Sequence, residues 1–289
     1  VYEPVIYIAL ILFGLCLGSF AGATVWRLRA RQLSEDKKAK EPYDKKEFAH
    51  LKKLLGKKTA QDRSQCLHCG YELKWYDLIP LVSWVSLKGR CRACKTPIGR
   101  FEPLIELGVA AFFVASYALW PLPLETPLQI AHLVTWLVGG VIMAVLFAYD
   151  AKWFLLPDGY SRALAVVGII AVVVSSQSIA DYASAFGAVA IMSGLYGLLY
   201  LVSRGAWVGL GDVKLGLGLG LLLGSWELAF IALFLANLIG CLIVIPLLAT
   251  KKLQRTSKVP FGPMLIAGTV IAWLFGPQIV AWYLGFVAF

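Results

Sequence analysis

LAFIALFLANLIGCLIVIPLLA, residues Leu228–Ala249, runs for 22 positions without a charge and with one strongly polar side chain, Asn237. A helix needs about 20 apolar residues to cross the ~30 Å hydrocarbon core of a bilayer, so this stretch reads as a membrane span. Comparable runs cover Val5–Trp26, Pro103–Trp120, Leu128–Tyr149, Arg162–Ile179, Ala183–Ser203, Val213–Trp226 and Phe261–Val287. The periodicity and length of these runs predict about eight transmembrane helices. Over the whole chain of 289 residues, 59% are hydrophobic and 15% charged, against roughly 45–50% and 25% for a soluble domain. That composition excludes disordered, collagen-like and secreted disulfide-scaffold classes. The expected fold class is an all-α polytopic membrane protein. The first span begins within a few residues of Val1, is too long for a signal-peptide core and has no small-residue cleavage site after it. It is therefore expected to stay in the membrane.

The position of the charges orients the chain. Of the 27 Lys and Arg residues, 19 lie in Arg27–Glu102, two in Asp150–Arg162, two in Arg204–Lys214 and four in Lys251–Lys258. The connections on the opposite side carry only Glu3, Glu125, Asp181 and Glu227. Basic loops favour the cytoplasmic side, which predicts an N-terminus outside and all four basic intervals inside. The net charge of +10 is thus a topology signal, and no nucleic acid partner is inferred from it. Three regions follow: a first transmembrane helix in residues 1–26, a cytoplasmic domain in 27–102 and a helical bundle in 103–289. Within the cytoplasmic domain, Arg29–Ser64 is polar and mostly basic. There Tyr43–Leu55 places Phe48, Leu51, Leu54 and Leu55 on one helical face, with Pro42 suited to start the helix and Gly56 to stop it. Such a face serves either to lie on anionic membrane lipid or to pack on its own small domain.

Four cysteines make the second signal. Cys66 and Cys69 form one C-x2-C pair and Cys91 and Cys94 another, separated by residues 70–90. Two such knuckles supply four thiolates for a tetrahedral structural Zn²⁺, a zinc-ribbon-like arrangement. Two disulfides would compete, but the basic loop places these thiols in a reducing compartment. A thioredoxin-like redox pair would need a βαβ context and would not need its motif twice. His68 lies between two ligands as a bystander. Cys16 and Cys241 sit within spans as small apolar residues.

Carboxyls at span ends are the third signal: Glu106, Asp150, Asp158 and Asp212. Ionisable groups in a membrane default to functional candidates. With the N-terminus outside, the third span runs inward to end at Asp150, and the sixth runs outward from Asp212. Both carboxyls then reach the cytoplasmic boundary at one depth. Two close carboxyls share a proton, and one ionised with one protonated is what an aspartyl protease uses to activate water and protonate the carbonyl. The bland alternative has Asp212 capping its helix and Asp150 pairing with Lys152. Gly209-Leu210-Gly211-Asp212 is no phosphate loop, because the third glycine and the Gly-Lys-Ser/Thr ending are absent. The sixth span, with 14 residues, reaches only about 21 Å. Its Gly216, Gly218, Gly220 and Gly224 suit close helix contact, and its shortness would thin and wet the membrane beside the dyad.

Taken together, these residues resemble the type IV prepilin peptidases, bacterial inner-membrane enzymes. Leu17-Gly18-Ser19-Phe20 with Arg27 is similar to their N-terminal pattern. So are the zinc-loop run Cys66–Trp84, the segment Gly89–Cys94, and Pro103-Leu104-Ile105-Glu106-Leu107. Asp150, the following Leu155-Leu156-Pro157-Asp158, and Gly209–Lys214 match the segments around the family's two catalytic aspartates. Leu67 departs from a usual Pro, and Lys152 from a usual acid. The resemblance implies Asp150 and Asp212 as catalytic residues, supported by Gly209, Gly211, Lys214 and Asp158. It implies cleavage of the basic leader of prepilins or pseudopilins after a glycine, on the cytoplasmic face. It also implies methylation of the new amine with S-adenosylmethionine, associated with the zinc-bearing loop, although no Rossmann fingerprint is present. A presenilin- or signal-peptide-peptidase-like protease remains an alternative, lacking here its Pro-Ala-Leu motif. So does a non-enzymatic scaffold whose zinc ribbon docks partners.

Overall fold

In the computed structural model, residues 3–55, 63–252, 254 and 259–287 are described. The Gly56 helix stop and the basic residues Lys57, Lys58, Arg255 and Lys258 lie outside them. The regular secondary structure of the described residues is helical apart from two isolated β-bridges. The helices are α1 (Glu3–Ala39), α2 (Lys45–Leu51), α3 (Val82–Ser86), α4 (Phe101–Ala118), α5 (Pro127–Trp153) and α6 (Asp158–Ser175). There follow α7 (Ile179–Val189), α8 (Leu195–Ser203), α9 (Leu210–Leu223), α10 (Trp226–Ala249) and α11 (Gly262–Val287). A π-helical turn, Ala190–Gly194, joins α7 to α8. Among the described residues, seven helices are long and apolar enough to cross a membrane, with α7–α8 counted as one. The remaining expected span, the sixth, is α9, a regular helix of 14 residues that falls short of that length.

The chain divides into two compact units, Val1–Val114 and Ala115–Phe289. In the first, α1 does not stop at Trp26 but runs for 37 residues to Ala39, about 55 Å. Its polar end contains no Pro or Gly, and Trp26, Ala30 and Leu33 recur at helical spacing. Against that stripe pack Leu51, Phe48, Leu54 and Leu55. The apolar face of Tyr43–Leu55 is therefore covered by its own domain, which decides between the two roles open to it. Arg29 clamps the helix pair through Glu47 at 2.6 Å. The cap of α2 is Asp44, whose Oδ1 accepts from the Lys46 and Glu47 amides, rather than Pro42. These two bonds hold the Asp44 carboxyl below its usual range.

Glycines set the approach of α1 to α4 in this unit. A Cβ on Gly14 would meet Ala110 Cα at 2.6 Å, and one on Gly18 would meet Glu106 Cα at 2.6 Å. Glu106 is buried, and its Oε2 accepts from the Leu81 amide at 2.8 Å. Leu81 has φ 58 and ψ −47, a strained conformation for a branched side chain. The buried Glu106 side chain thus holds the entry to α3.

In the second unit, α9 is the central helix. Gly218 admits α6, since a Cβ there would stand 2.9 Å from Leu164 Cγ. From the other side, a Cβ on Gly168 would meet Leu221 Cβ at 2.6 Å. Gly216 and Gly220 face the opposite way, against the carbonyls of Met192 and Ala188. Small residues on two faces of one short helix let two neighbours approach to backbone contact. Leu215, Leu219, Leu222 and Leu223 fill the remaining core. Some 27 Å along α5 from Asp150, His132 lies among the rings of Trp120 and Trp273, and Trp136 stacks on Trp273 at 5.1 Å.

Candidate active site and metal centre

Four helix ends gather in the second unit. The last turns of α5 bring Asp150, and the first turns of α6, α9 and α11 bring Asp158, Asp212 and Gly262. Asp150 is 5% exposed, and its Oδ2 accepts the Gly262 amide at 3.0 Å in a buried bond. That amide is one of the free donors of a helix N-terminus, where a carboxylate is favoured. Helix α5 ends just beyond, with Phe154 in the left-handed region (φ 57) donating its amide to Asp150 O at 2.8 Å. Lys152 Nζ lies 5.1 Å over the Trp153 ring.

Asp212 occupies the third position of α9, half-buried, with Gly209 as the helix cap. Its Oδ2 lies where a Cβ on Gly209 would be 3.5 Å away. The carboxyl therefore also sits as a capping residue would, and it is close enough for its charge to act on Asp150. Gly211 lets the start of α9 approach the loop after α5, because a Cβ there would be 3.2 Å from Leu156 Cβ. Lys214 and Asp158 meet each other at 2.7 Å in an exposed ion pair. The six residues expected from sequence are thus neighbours, grouped as the Asp150–Asp212 pair and the Lys214–Asp158 pair. Sequence reasoning missed Gly262 and, beside it, Phe261 and Tyr196. The one available signal was Pro260-Phe261-Gly262-Pro263, a run of backbone punctuation at the head of an apolar span.

The first unit holds the four cysteines as one group, with all Sγ atoms within 4.8 Å of one another. Cys66 Sγ and Cys94 Sγ are 3.9 Å apart, and Cys69 Sγ and Cys91 Sγ 4.0 Å. Four sulfurs at 2.3 Å from a tetrahedral zinc would stand about 3.8 Å apart. The thiols are free, so the disulfide alternative fails, and the donor set fits a closed metal site. His68 stays outside it, with Nδ1 3.4 Å from Thr96 Oγ1. The Thr96 hydroxyl and amide pull the neighbouring Cys94 thiol down to about 6, while burial pushes Cys66 up to about 11.

The two knuckles are one motif used twice. Gly70 donates to Cys66 O at 2.9 Å and Lys95 to Cys91 O at 3.0 Å; Cys66 donates to Tyr71 O and Cys91 to Thr96 O, both at 2.9 Å. Gln65 bridges Glu72, and Arg90 bridges Pro97. Gly70 (φ 77) and Lys95 (φ 59) take the same left-handed turn. Arg92 of the second knuckle ties back to buried Asp77 at 2.7 Å.

Comparison with known proteins matches residues 12–120 to the bacterial peptidase A24 N-terminal domain and 137–245 to the type IV leader peptidase family. A prepilin leader peptidase/N-methyltransferase of Pseudomonas aeruginosa is 32% identical over 96% of this chain and 93% of its own. One of Aeromonas hydrophila is 33% identical over 97% and 95%.

The chain belongs to the prepilin leader peptidase/N-methyltransferase family.

It is a multi-pass membrane enzyme of that family, with a four-cysteine cluster in its N-terminal part. A further relative, the type 4 prepilin-like proteins leader peptide-processing enzyme of Escherichia coli, is 29% identical over 89% of each chain. No solved structure matches.

Proposed function

We propose that Asp150 and Asp212 are the catalytic pair of a prepilin peptidase. The supporting observation is that two carboxyls far apart in sequence converge at adjoining helix ends, one of them buried and held by the Gly262 amide. The pair shares one proton; the ionised partner draws a proton from water as it attacks the carbonyl, and the protonated partner donates its own to the carbonyl oxygen. As the diol collapses, the proton taken from water passes to the leaving amine and the diol returns a proton to the other carboxyl. Helix N-termini at Asp212 and Gly262 favour the single negative charge. Gly209, Gly211 and the Lys214–Asp158 pair fix the approach of α9 to the loop after α5.

The substrate is a type IV prepilin or pseudopilin, cut after a glycine between its basic leader and its apolar helix. The basic loops orient the enzyme in a bacterial inner membrane with the N-terminus outside and the dyad and cysteine cluster cytoplasmic. The new amine is then methylated from S-adenosylmethionine. Cys66, Cys69, Cys91 and Cys94 would hold a structural zinc that keeps the loop folded. Asp150→Asn and Asp212→Asn should each abolish leader cleavage, read by mass measurement of a co-expressed prepilin, while the protein still reaches the membrane. Near wild-type processing by either variant would remove the dyad assignment.

A further inference from the structure

Among the described residues, four buried side-chain polar atoms have no hydrogen-bond partner: Glu102 Oε2, Trp120 Nε1, Tyr196 Oη and Trp273 Nε1. The first belongs to the N-terminal unit, and the two indoles belong to the aromatic cluster around His132. Tyr196 alone stands with the carboxyls. Its residue is 5% exposed, and a buried hydroxyl without a partner is costly unless a ligand completes it.

Three contacts place it. Ser193, one turn earlier, donates to Val213 O at 2.9 Å, beside Asp212. Gly197, the next residue, faces Val213, with a Cβ there 3.7 Å from Val213 Cγ1. The Tyr196 ring meets Phe261 edge-on at 5.5 Å, and Phe261 precedes the glycine that holds Asp150. Tyr196 therefore stands between the two carboxyl-bearing ends, within electrostatic reach of Asp212. Asn237 comes near the hydroxyl but makes no hydrogen bond of ordinary geometry with it; one of its two Nδ2 hydrogens goes to Leu233 O at 2.8 Å. The π turn immediately upstream rotates the following residues by about 100° for its extra residue. Such turns recur at functional sites.

From this geometry we infer that Tyr196 is a further catalytic residue, its hydroxyl donating a hydrogen bond to the carbonyl oxygen of the scissile peptide as negative charge develops there. The inference rests on the dyad reading above. The Gly262 amide is already engaged by Asp150, whereas the Tyr196 hydroxyl is a neutral donor with no partner. The hydroxyl keeps its proton throughout; water adds to the carbonyl carbon, the carbon–nitrogen bond breaks, and the dyad moves the protons. A donor aimed at developing charge acts on the transition state rather than on substrate binding.

The test compares purified wild-type enzyme with Tyr196→Phe on a prepilin substrate, recording kcat, KM, thermal unfolding and methyl transfer to a pre-cleaved peptide. The expected result is a fall in kcat of about 100-fold, with KM within about twofold, methyl transfer retained and a melting temperature unchanged or raised. A rise is expected because the variant removes an unsatisfied buried group. A kcat within threefold of wild type overturns the inference, as does a kcat loss accompanied by a lowered melting temperature, which marks a structural hydroxyl. Should the variant fail to accumulate, a fluorinated tyrosine at this position keeps the ring and acidifies the hydroxyl: kcat shifts if it donates to the reacting oxygen and stays if it does not. Asp150→Asn and Asp212→Asn run alongside. Inactive aspartate variants with a fully active Tyr196→Phe would defeat this inference alone, whereas active aspartate variants would defeat the dyad and this inference with it.

Discussion

Gly262 is a position where one added carbon would press directly on a dyad carboxyl. A Cβ there would stand 2.8 Å from Asp150 Oδ2 and 3.4 Å from Leu215 Cδ2, so either the carboxylate or the start of α11 must move. Misplacing a reacting group by about 1 Å costs on the order of 100-fold in rate. Gly262→Ala should therefore lower cleavage by about that factor while membrane insertion and yield stay normal, measured as the initial rate of leader removal by purified enzyme. A rate within threefold of wild type would mean that the amide does not position the carboxylate. Asp158→Asn should do far less: the Lys214–Asp158 pair is exposed on both sides, and such pairs contribute about 0.2–1 kcal/mol. Cleavage by that variant should fall less than tenfold, with the same assay as its check. Asp150 and Asp212 were legible in sequence because an acid at the end of an apolar run needs a reason. Gly262 was not, since it acts through its amide and its missing side chain. Tyr196 was not, since a tyrosine in an apolar run reads as packing until its hydroxyl is seen to lack a partner.

At the scale of elements, what carries a chemical or periodic signature was legible, and what depends on tertiary contact was not. The glycines of α9 announced close packing, although not that Gly218 would serve α6 while Gly216 serves the π turn and Gly220 the end of α7. The extension of α1 to Ala39 was hidden by its charge, because the stripe Trp26, Ala30, Leu33 makes sense only with α2 against it. The knuckles showed their cysteines, but their equivalence shows only in the matching turns at Gly70 and Lys95. That equivalence gives a prediction of paired sign. A side chain in the left-handed region costs about 1–2 kcal/mol. Lys95→Gly should therefore stabilise the cysteine cluster by up to that amount, and Gly70→Ala should destabilise it similarly. Nothing lies nearer than 3.7 Å to a Cβ on Gly70, so the backbone alone sets its effect. Zinc release on heating, followed with a chromophoric chelator, should come later for the first variant and earlier for the second. Shifts of the same direction would show that side-chain contacts, not the turn, control the knuckles.

At the scale of the whole molecule, the two proposed chemistries are carried by different compact units. Asp150, Asp212, Gly262 and Tyr196 all belong to Ala115–Phe289, and the four cysteines to Val1–Val114. Structural zinc couples metal binding to folding. Removing it should loosen the segment between the knuckles, where otherwise Arg92–Asp77, Leu81–Glu106, Trp84–Gly99 and a few turn bonds remain. The helices that present the dyad are held by their own packing, with α9 set among α6, the π turn and α11, and no thiol takes part. Methyl transfer differs in what it requires: the new amine must be held, unprotonated, close to the donor carbon. Among the sizeable polar structures facing the proposed cytoplasmic side, the loop 27–102 is the one a metal organises. Stripping zinc with a strong chelator, or replacing Cys91 with Ser, should therefore leave prepilin cleavage within about threefold of wild type. Transfer of labelled methyl to a pre-cleaved pilin peptide should fall at least tenfold and return, for the wild-type enzyme, when zinc is restored. Parallel loss of both activities would show that the loop also serves the dyad. Unchanged methyl transfer by metal-free enzyme would place the methyl-donor site outside the zinc-organised loop.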